Sequence, residues 1–385
     1  MVHAKIEQWA EEPFRVFFPL GTLASLVGVM LWPAFAQGWL GYYPMEAHAR
    51  WMVVAFAGCF IVGFLGTAGP RLLGSQPWRR WELVTHLSMA LLMMVMLARH
   101  QLPLADFVAG VWLLGVLTSL LSRFFGNRQD VPPPGFPMAA LGLLSAGVSA
   151  LALSLSVHVE FSPRLYSFLR LLYFQGLLWL PVIAVAPFLL PRFFGKESRH
   201  SFEESESLPV GWCRHFTLSL LAGLTLLGTF AIEAWLEPQL GVVLRAVVVG
   251  LYLALAVPGL VTWRRTNGLG VALRLVLPCA VAGWLLAAYF PLLRVGMLHV
   301  MLIGGSGLLL LSVATRVILG HADRHDHLSS PMRWFHIFWG MVILATATRV
   351  SADLLPKVRM SHLDYAAGLW SLLVVLWWWK LSRER

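Results

Sequence analysis

The chain has 385 residues, of which 58% are hydrophobic and 12% are Asp, Glu, Lys or Arg, about half the roughly 25% charge of an ordinary soluble domain. That composition excludes a soluble enzyme. The net charge of +10, from 29 Lys+Arg against 19 Asp+Glu, would suggest nucleic acid in a soluble protein, but in a membrane chain basic residues gather in cytoplasmic loops and set orientation, so no nucleic-acid partner is expected.

The first thirteen residues are polar and acidic, with Glu7, Glu11 and Glu12. They show no short apolar core ending at a small-residue cleavage site, so the first helix is expected to be retained. Apolar segments then run through Val16–Ala36, Met52–Leu73, Leu83–Ala98, Phe107–Leu121, Phe136–Val157 and Leu171–Leu190. After a polar loop they resume as Phe216–Ile232, Val242–Trp263, Val271–Tyr289, Val295–Leu319, Trp334–Val350 and Leu363–Trp379. Most approach the roughly 20 apolar residues that a helix needs to cross the hydrocarbon core. The spacing predicts an all-α, polytopic membrane protein of about twelve transmembrane helices embedded in the lipid bilayer. Period-two alternation, the mark of a membrane barrel, is missing.

Twenty of the 29 basic residues fall at the N-terminus, after even-numbered helices or in the C-terminal tail, eight fall after odd-numbered helices, and Arg245 lies within a span. This bias predicts cytoplasmic termini. Helices two, four and six end in the related strings Arg71-Leu72-Leu73-Gly74, Arg123-Phe124-Phe125-Gly126 and Arg192-Phe193-Phe194-Gly195, which read as a recurring stop signal or as the trace of a duplicated unit. The longest polar loop, Arg192–Arg214, divides the spans six and six. The chain is therefore expected to be one transmembrane domain, 1–385, with possible pseudo-halves 1–195 and 210–385. Cys59, Cys213 and Cys279 form no CxxC pair and are read as packing residues.

Ionisable groups inside the membrane are functional candidates. Asp106, Glu233 and Asp364 lie near helix ends, and no carboxylate falls at the middle of a span. Among the thirteen histidines, His48 opens the second span and His299 lies near the start of the tenth, on the same side and each followed by a glycine-rich helix. At about 1.5 Å per residue their depths agree within what helix tilt absorbs, so the two imidazoles are candidate axial ligands for a haem iron. Gly63, Gly66, Gly69, Gly304, Gly305 and Gly307 make room either for a flat cofactor or for close helix packing. Arg349, at the same end of helix eleven, is a candidate partner for a haem propionate. His321 and His325 share a helical face if the helix continues past Gly320, and are candidates for a second metal, copper or zinc; the other reading of His321 is a helix cap.

These motifs resemble those of the NnrS family. The resemblance rests on Phe14-Arg15-Val16-Phe17-Phe18-Pro19-Leu20, on His48-Ala49-Arg50-Trp51-Met52 followed by Gly63-Phe64-Leu65-Gly66-Thr67-Ala68-Gly69-Pro70, and on His299, Gly304, Gly307 and Val313-Ala314-Thr315-Arg316. Leu319-Gly320-His321-Ala322-Asp323-Arg324 extends it. It implies a bacterial inner-membrane protein that holds haem, taken as type b, and copper. The implied setting is the nitric oxide and nitrosative stress response, with a diatomic gas ligand and a redox partner. The chain departs from the family's W-H-x-H-E-M motif, with Ala47 before the histidine, Arg50 at the second histidine and Trp51 at the acid, which puts the copper in question. The family's G-H-x-G-R becomes Gly320-His321-Ala322-Asp323-Arg324. Outward histidines on helices two and ten are also similar to the low-spin haem ligands of haem–copper oxidases, whose active-site histidine set this chain lacks. Whether the protein is an enzyme is not fixed by these residues. The alternative function is a twelve-helix secondary transporter without haem, against which stand the lack of mid-span carboxylates and of an acidic residue in Gly74-Ser75-Gln76-Pro77-Trp78-Arg79-Arg80.

Overall fold

The computed structural model describes residues 2–262 and 266–383; the side chains of residues 2–4, 325 and 329 lie outside the description. Among the described residues the secondary structure is helical, with no strand. A segment in lipid satisfies its amides internally only as a helix or a closed barrel, and the uniform apolar runs leave the helix. A short helix α1 (Val2–Glu11) precedes α2 (Phe14–Ala36), α3 (Met45–Leu72), α4 (Arg80–Ala98), α5 (Leu102–Gly126) and α6 (Phe136–Val157). Then come α7 (Pro163–Phe194), α8 (Trp212–Leu236), α9 (Pro238–Ala256), α10 (Gly268–Tyr289), α11 (Pro291–His321), α12 (Arg333–Leu354) and α13 (Arg359–Ser382).

Eleven of these, α2 to α12, are long and apolar enough to cross a membrane. The twelfth segment read from the sequence forms a 24-residue helix, α13, but falls short of that measure. Its buried face includes Leu363, Ala367, Trp370, Leu373, Trp377 and Leu381, and its four tryptophans, whose rings carry a polar N–H, count for less than aliphatic side chains. The helices begin and end where local chemistry dictates. Ser162 accepts from the Leu165 amide at 3.3 Å before Pro163, and Asn267 accepts from the Gly270 amide at 2.9 Å. Gly74 and Gly195 take left-handed φ values of 55° and 63°, and the next amide returns to Pro70 O at 2.9 Å and to Pro191 O at 3.0 Å. The repeated Arg-x-x-Gly string is thus a glycine helix stop in two of its three copies. Gly126 is still helical.

Among the described residues four helices contain π-helical turns: Arg50–Ala57 in α3, Leu172–Gly176 in α7, Ile232–Leu236 in α8 and Val300–Gly307 in α11. Such turns widen the backbone spiral and recur at functional sites.

Contacts divide the chain into two compact units, 1–24, 49–188 and 199–235 in the first, and 25–48, 189–198 and 236–385 in the second. This division does not follow the polar loop between α7 and α8. In the first unit α5 and α6 cross at Gly110 and Gly147, where a side chain at Gly110 would meet the Gly147 carbonyl at 2.9 Å. The part of the polar loop that belongs to the first unit is held there: Ser205 N donates to Asp130 Oδ1 at 2.9 Å, Val131 N donates to Ser205 O at 2.9 Å, and the Trp212 indole donates to Pro132 O at 2.8 Å. In the second unit α10 and α11 cross at Gly283, where a Cβ would lie 2.4 Å from the Met301 amide nitrogen.

Candidate functional site

His48 and His299 both lie in the second unit. Their ring centres are 6.4 Å apart and their planes 23° from parallel. His48 Nδ1 lies 2.8 Å from Gly28 O on α2, and His299 Nδ1 lies 2.7 Å from Val295 O one turn back on its own helix. A carbonyl only accepts, so each Nδ1 carries the proton and donates it. Each Nε2 is left as the lone-pair nitrogen, and among the described residues neither meets a hydrogen-bond partner. Metal-bound histidines usually donate their other ring N–H in this way.

The surroundings fix the ring of His48. Trp32 meets it edge-on at 5.8 Å and meets Tyr43 at 5.4 Å. Arg349 on α12 is buried and within electrostatic reach of both imidazoles. Its Nη1 donates to Asp353 Oδ2 at 3.1 Å, and Asp353 Oδ1 lies 3.3 Å from Arg359. The three residues His48, His299 and Arg349, chosen from the sequence, are therefore brought into one neighbourhood.

The glycines take the packing alternative. In α11 a Cβ at Gly304 would meet Cys279, one at Gly305 would meet Ala280 and one at Gly307 would meet Trp370, while in α3 the neighbours of Gly63, Gly66 and Gly69 are Phe17, Trp78 and Leu120. His321 is the last residue of α11, with Nδ1 2.8 Å from Val317 O one turn back, the same contact that His299 makes with Val295 O. Arg316, a turn earlier, lies over the Phe193 ring at 4.9 Å. The His325 side chain lies outside the described residues. Among the described residues no group of three or more His, Cys, Asp or Glu side chains is placed to hold a metal ion.

Sequence reasoning missed two buried ion pairs in the first unit. Arg50, two residues before the predicted start of the second apolar segment at Met52, begins the π-helical turn of α3 and is 5% exposed; it pairs with Asp106, which is 2% exposed. The second pair joins α4 to α5: Glu82 receives Arg123 Nη1 at 2.8 Å and Nη2 at 2.7 Å, the Arg79 amide at 2.8 Å and the Ser119 hydroxyl. Opposite charges at the same distance from helix ends on nearby spans were the available signal in both cases.

The two imidazoles suit a haem iron, since each offers a neutral nitrogen with its tautomer fixed from behind. The residues at Arg50 and Trp51 do not suit copper, because a guanidinium has no lone pair to give and its charge repels a cation.

Fold and site together define a multi-pass helical membrane protein that carries a paired-histidine site in one unit and a buried Arg–Asp pair in the other. The chain belongs to the NnrS family: the family model described as NnrS protein matches residues 8–383. Comparison with curated proteins gives no match.

Proposed function

We propose that this NnrS-family protein binds haem through His48 and His299 and serves the bacterial response to nitric oxide at the cytoplasmic membrane. The observation that carries the haem reading is the spacing of the two rings. Two imidazoles that bind one metal from opposite sides, each through a nitrogen at roughly 2 Å, would have their centres about 6 Å apart, and the separation here is 6.4 Å.

Within that reading the chain's own residues have separate tasks. Gly28 O and Val295 O hold the ring tautomers, Trp32 restrains the His48 ring, and Arg349 supplies positive charge and donor groups for a carboxylate. A haem so held supplies one-electron chemistry. Two histidines holding one haem would leave the metal no free position, so electron transfer is the simplest role, and a diatomic ligand would need one histidine to give way. The cytoplasmic placement of both termini follows from the charge bias and belongs to the same proposal.

The test is the visible spectrum of the untagged protein purified from cells supplied with haem precursor. A strong Soret band at near-stoichiometric haem, six-coordinate in the oxidised and reduced forms, is expected. A colourless protein that is folded and monodisperse would end the haem reading and return the secondary-transporter alternative.

A further inference from the structure

One cation and two oxygen donors meet inside the first unit. Arg50 Nε donates to Asp106 Oδ1 at 2.9 Å and Nη2 donates to Oδ2 at 2.7 Å, a fork that engages both carboxylate oxygens. The Tyr173 hydroxyl donates to the same carboxylate and is 1% exposed. The Arg50 guanidinium also lies 5.9 Å from the centre of the Phe174 ring. Arg50 and Tyr173 both sit in π-helical turns, on α3 and α7.

A buried carboxylate stays ionised only beside a compensating cation, and losing that partner is strongly destabilising. In most proteins either a basic side chain or a bound metal ion fills that role. Here the cation is covalently attached, at the position where the family resemblance places a histidine. A guanidinium is charged at every accessible pH, occupies both carboxylate oxygens and offers no electron pair. An imidazole in its place would be neutral, would free the carboxylate, and would complete a nitrogen–oxygen–oxygen donor set with Asp106 and Tyr173 of the kind that suits copper or zinc.

We propose that Arg50 is a built-in substitute for a metal ion, so that Asp106 and Tyr173 form a metal site closed by arginine in this chain. The chain therefore works without copper at this motif, whether or not haem is bound at His48 and His299. The guanidinium preserves what a metal would contribute structurally, a fixed positive charge that ties α3 to α5, and removes its redox chemistry.

The test is metal content measured on untagged full-length protein from cells grown with copper or zinc, after a chelator wash. Wild type is expected to retain no metal that depends on Asp106. Arg50→His is expected to gain a single equivalent per chain, with a copper(II) paramagnetic signal, and to lose it in the double variant Arg50→His/Asp106→Asn. Thermal stability of Arg50→His should rise when metal is added, and that of wild type should not. Accumulation of Arg50→His in the membrane only when metal is in the medium would also support the proposal. Equal metal in wild type and Arg50→His, a gain that survives loss of Asp106, wild-type metal that Asp106→Asn removes, or failure of Arg50→His to accumulate even with metal would each overturn it.

Discussion

The ring centres of His48 and His299 lie 6.4 Å apart with their planes 23° from parallel, and each stands at the entry to an eight-residue π-helical turn, Arg50–Ala57 after the first and Val300–Gly307 directly after the second. A π turn advances the chain less per residue and displaces the side chains that precede it from the ordinary helical register. The two rings thus reach their positions from helices with the same local distortion, which links the backbone irregularity to the site.

Replacing either histidine tests that link. His48→Ala and His299→Ala are each expected to lose most bound haem or to leave it five-coordinate and high-spin, read from the Soret maximum and the visible bands of the ferric form. Both variants keep the helices around them, so accumulation should stay near the wild-type level. Unchanged spectra in both single variants would exclude these residues as ligands.

Arg349 lies within electrostatic reach of both rings while it is bonded to Asp353. A fixed positive charge near the iron favours the reduced state, so Arg349→Gln should lower the haem midpoint potential by tens of millivolts in a spectroelectrochemical titration. Arg349→Lys, which keeps the charge but not the fork, should fall between. A potential that does not move would leave Arg349 only its pairing with Asp353.

What was legible in the sequence followed from strong, local signals. Long apolar runs located the helices, although some ends moved by seven or eight residues: the segment read from Leu171 begins at Pro163, and the one read from Met52 begins at Met45. His48 and His299 stood out because they open two spans on the same side at matching depth, each followed by a glycine-rich helix. Arg50 with Asp106, and Glu82 with Arg123, were harder to read. Each residue lies close enough to a helix end to pass for an interfacial group, and only the lateral neighbour of each helix, which hydropathy does not encode, shows that the charges are paired and buried. The π turns were also hidden, because they depend on tertiary packing more than on residue preference. In the case of Gly304, Gly305 and Gly307 the sequence offered two uses for small residues, and the contacts with Cys279, Ala280 and Trp370 decide between them.

The Glu82–Arg123 pair is expected to carry a large share of the stability of the first unit. Removing one member leaves a buried charge alone, at a cost of about 3–5 kcal/mol. Arg123→Met should therefore lower Tm sharply, whereas the double variant Glu82→Met/Arg123→Met should recover a good part of the loss. A double variant no better than Arg123→Met would show that the charges are not the source of the cost.

His200, in the polar loop outside the spans, gives a pH dependence of known sign. Burial first, and the neighbouring His215 ring at 4.9 Å second, hold its imidazole down at about 4, against an ordinary value of about 6.5. Between these values the opened loop binds a proton that the closed loop does not, so the closed state loses stability as pH falls from about 6.5 toward 4 and levels off below. Limited proteolysis of residues 196–211 should accelerate over that window. His200→Phe, which keeps an aromatic ring without a proton site, should flatten the profile. Equal acceleration in the variant would assign the effect to other groups.

Gly283 connects packing to the site. A Cβ there would come within 2.4 Å of the Met301 amide nitrogen and 2.7 Å of its side chain, and Met301 lies two residues beyond His299. Backbone cannot yield as the end of a flexible side chain can, so even Ala at this position must push α10 and α11 apart. Overpacking of this kind typically costs about 1–3 kcal/mol, and the displacement falls on the turn that aims the His299 ring. Gly283→Ala is therefore expected to lower Tm and to weaken haem retention together, with Gly283→Val worse on both counts. Gly320, where a Cβ would meet nothing within 4 Å, provides the control on the same helix as His299: Gly320→Ala should leave the spectrum unchanged. If Gly283→Val kept a wild-type spectrum while losing stability, the position of His299 would have to be set by the Val295 carbonyl and the π turn without help from the α10 contact.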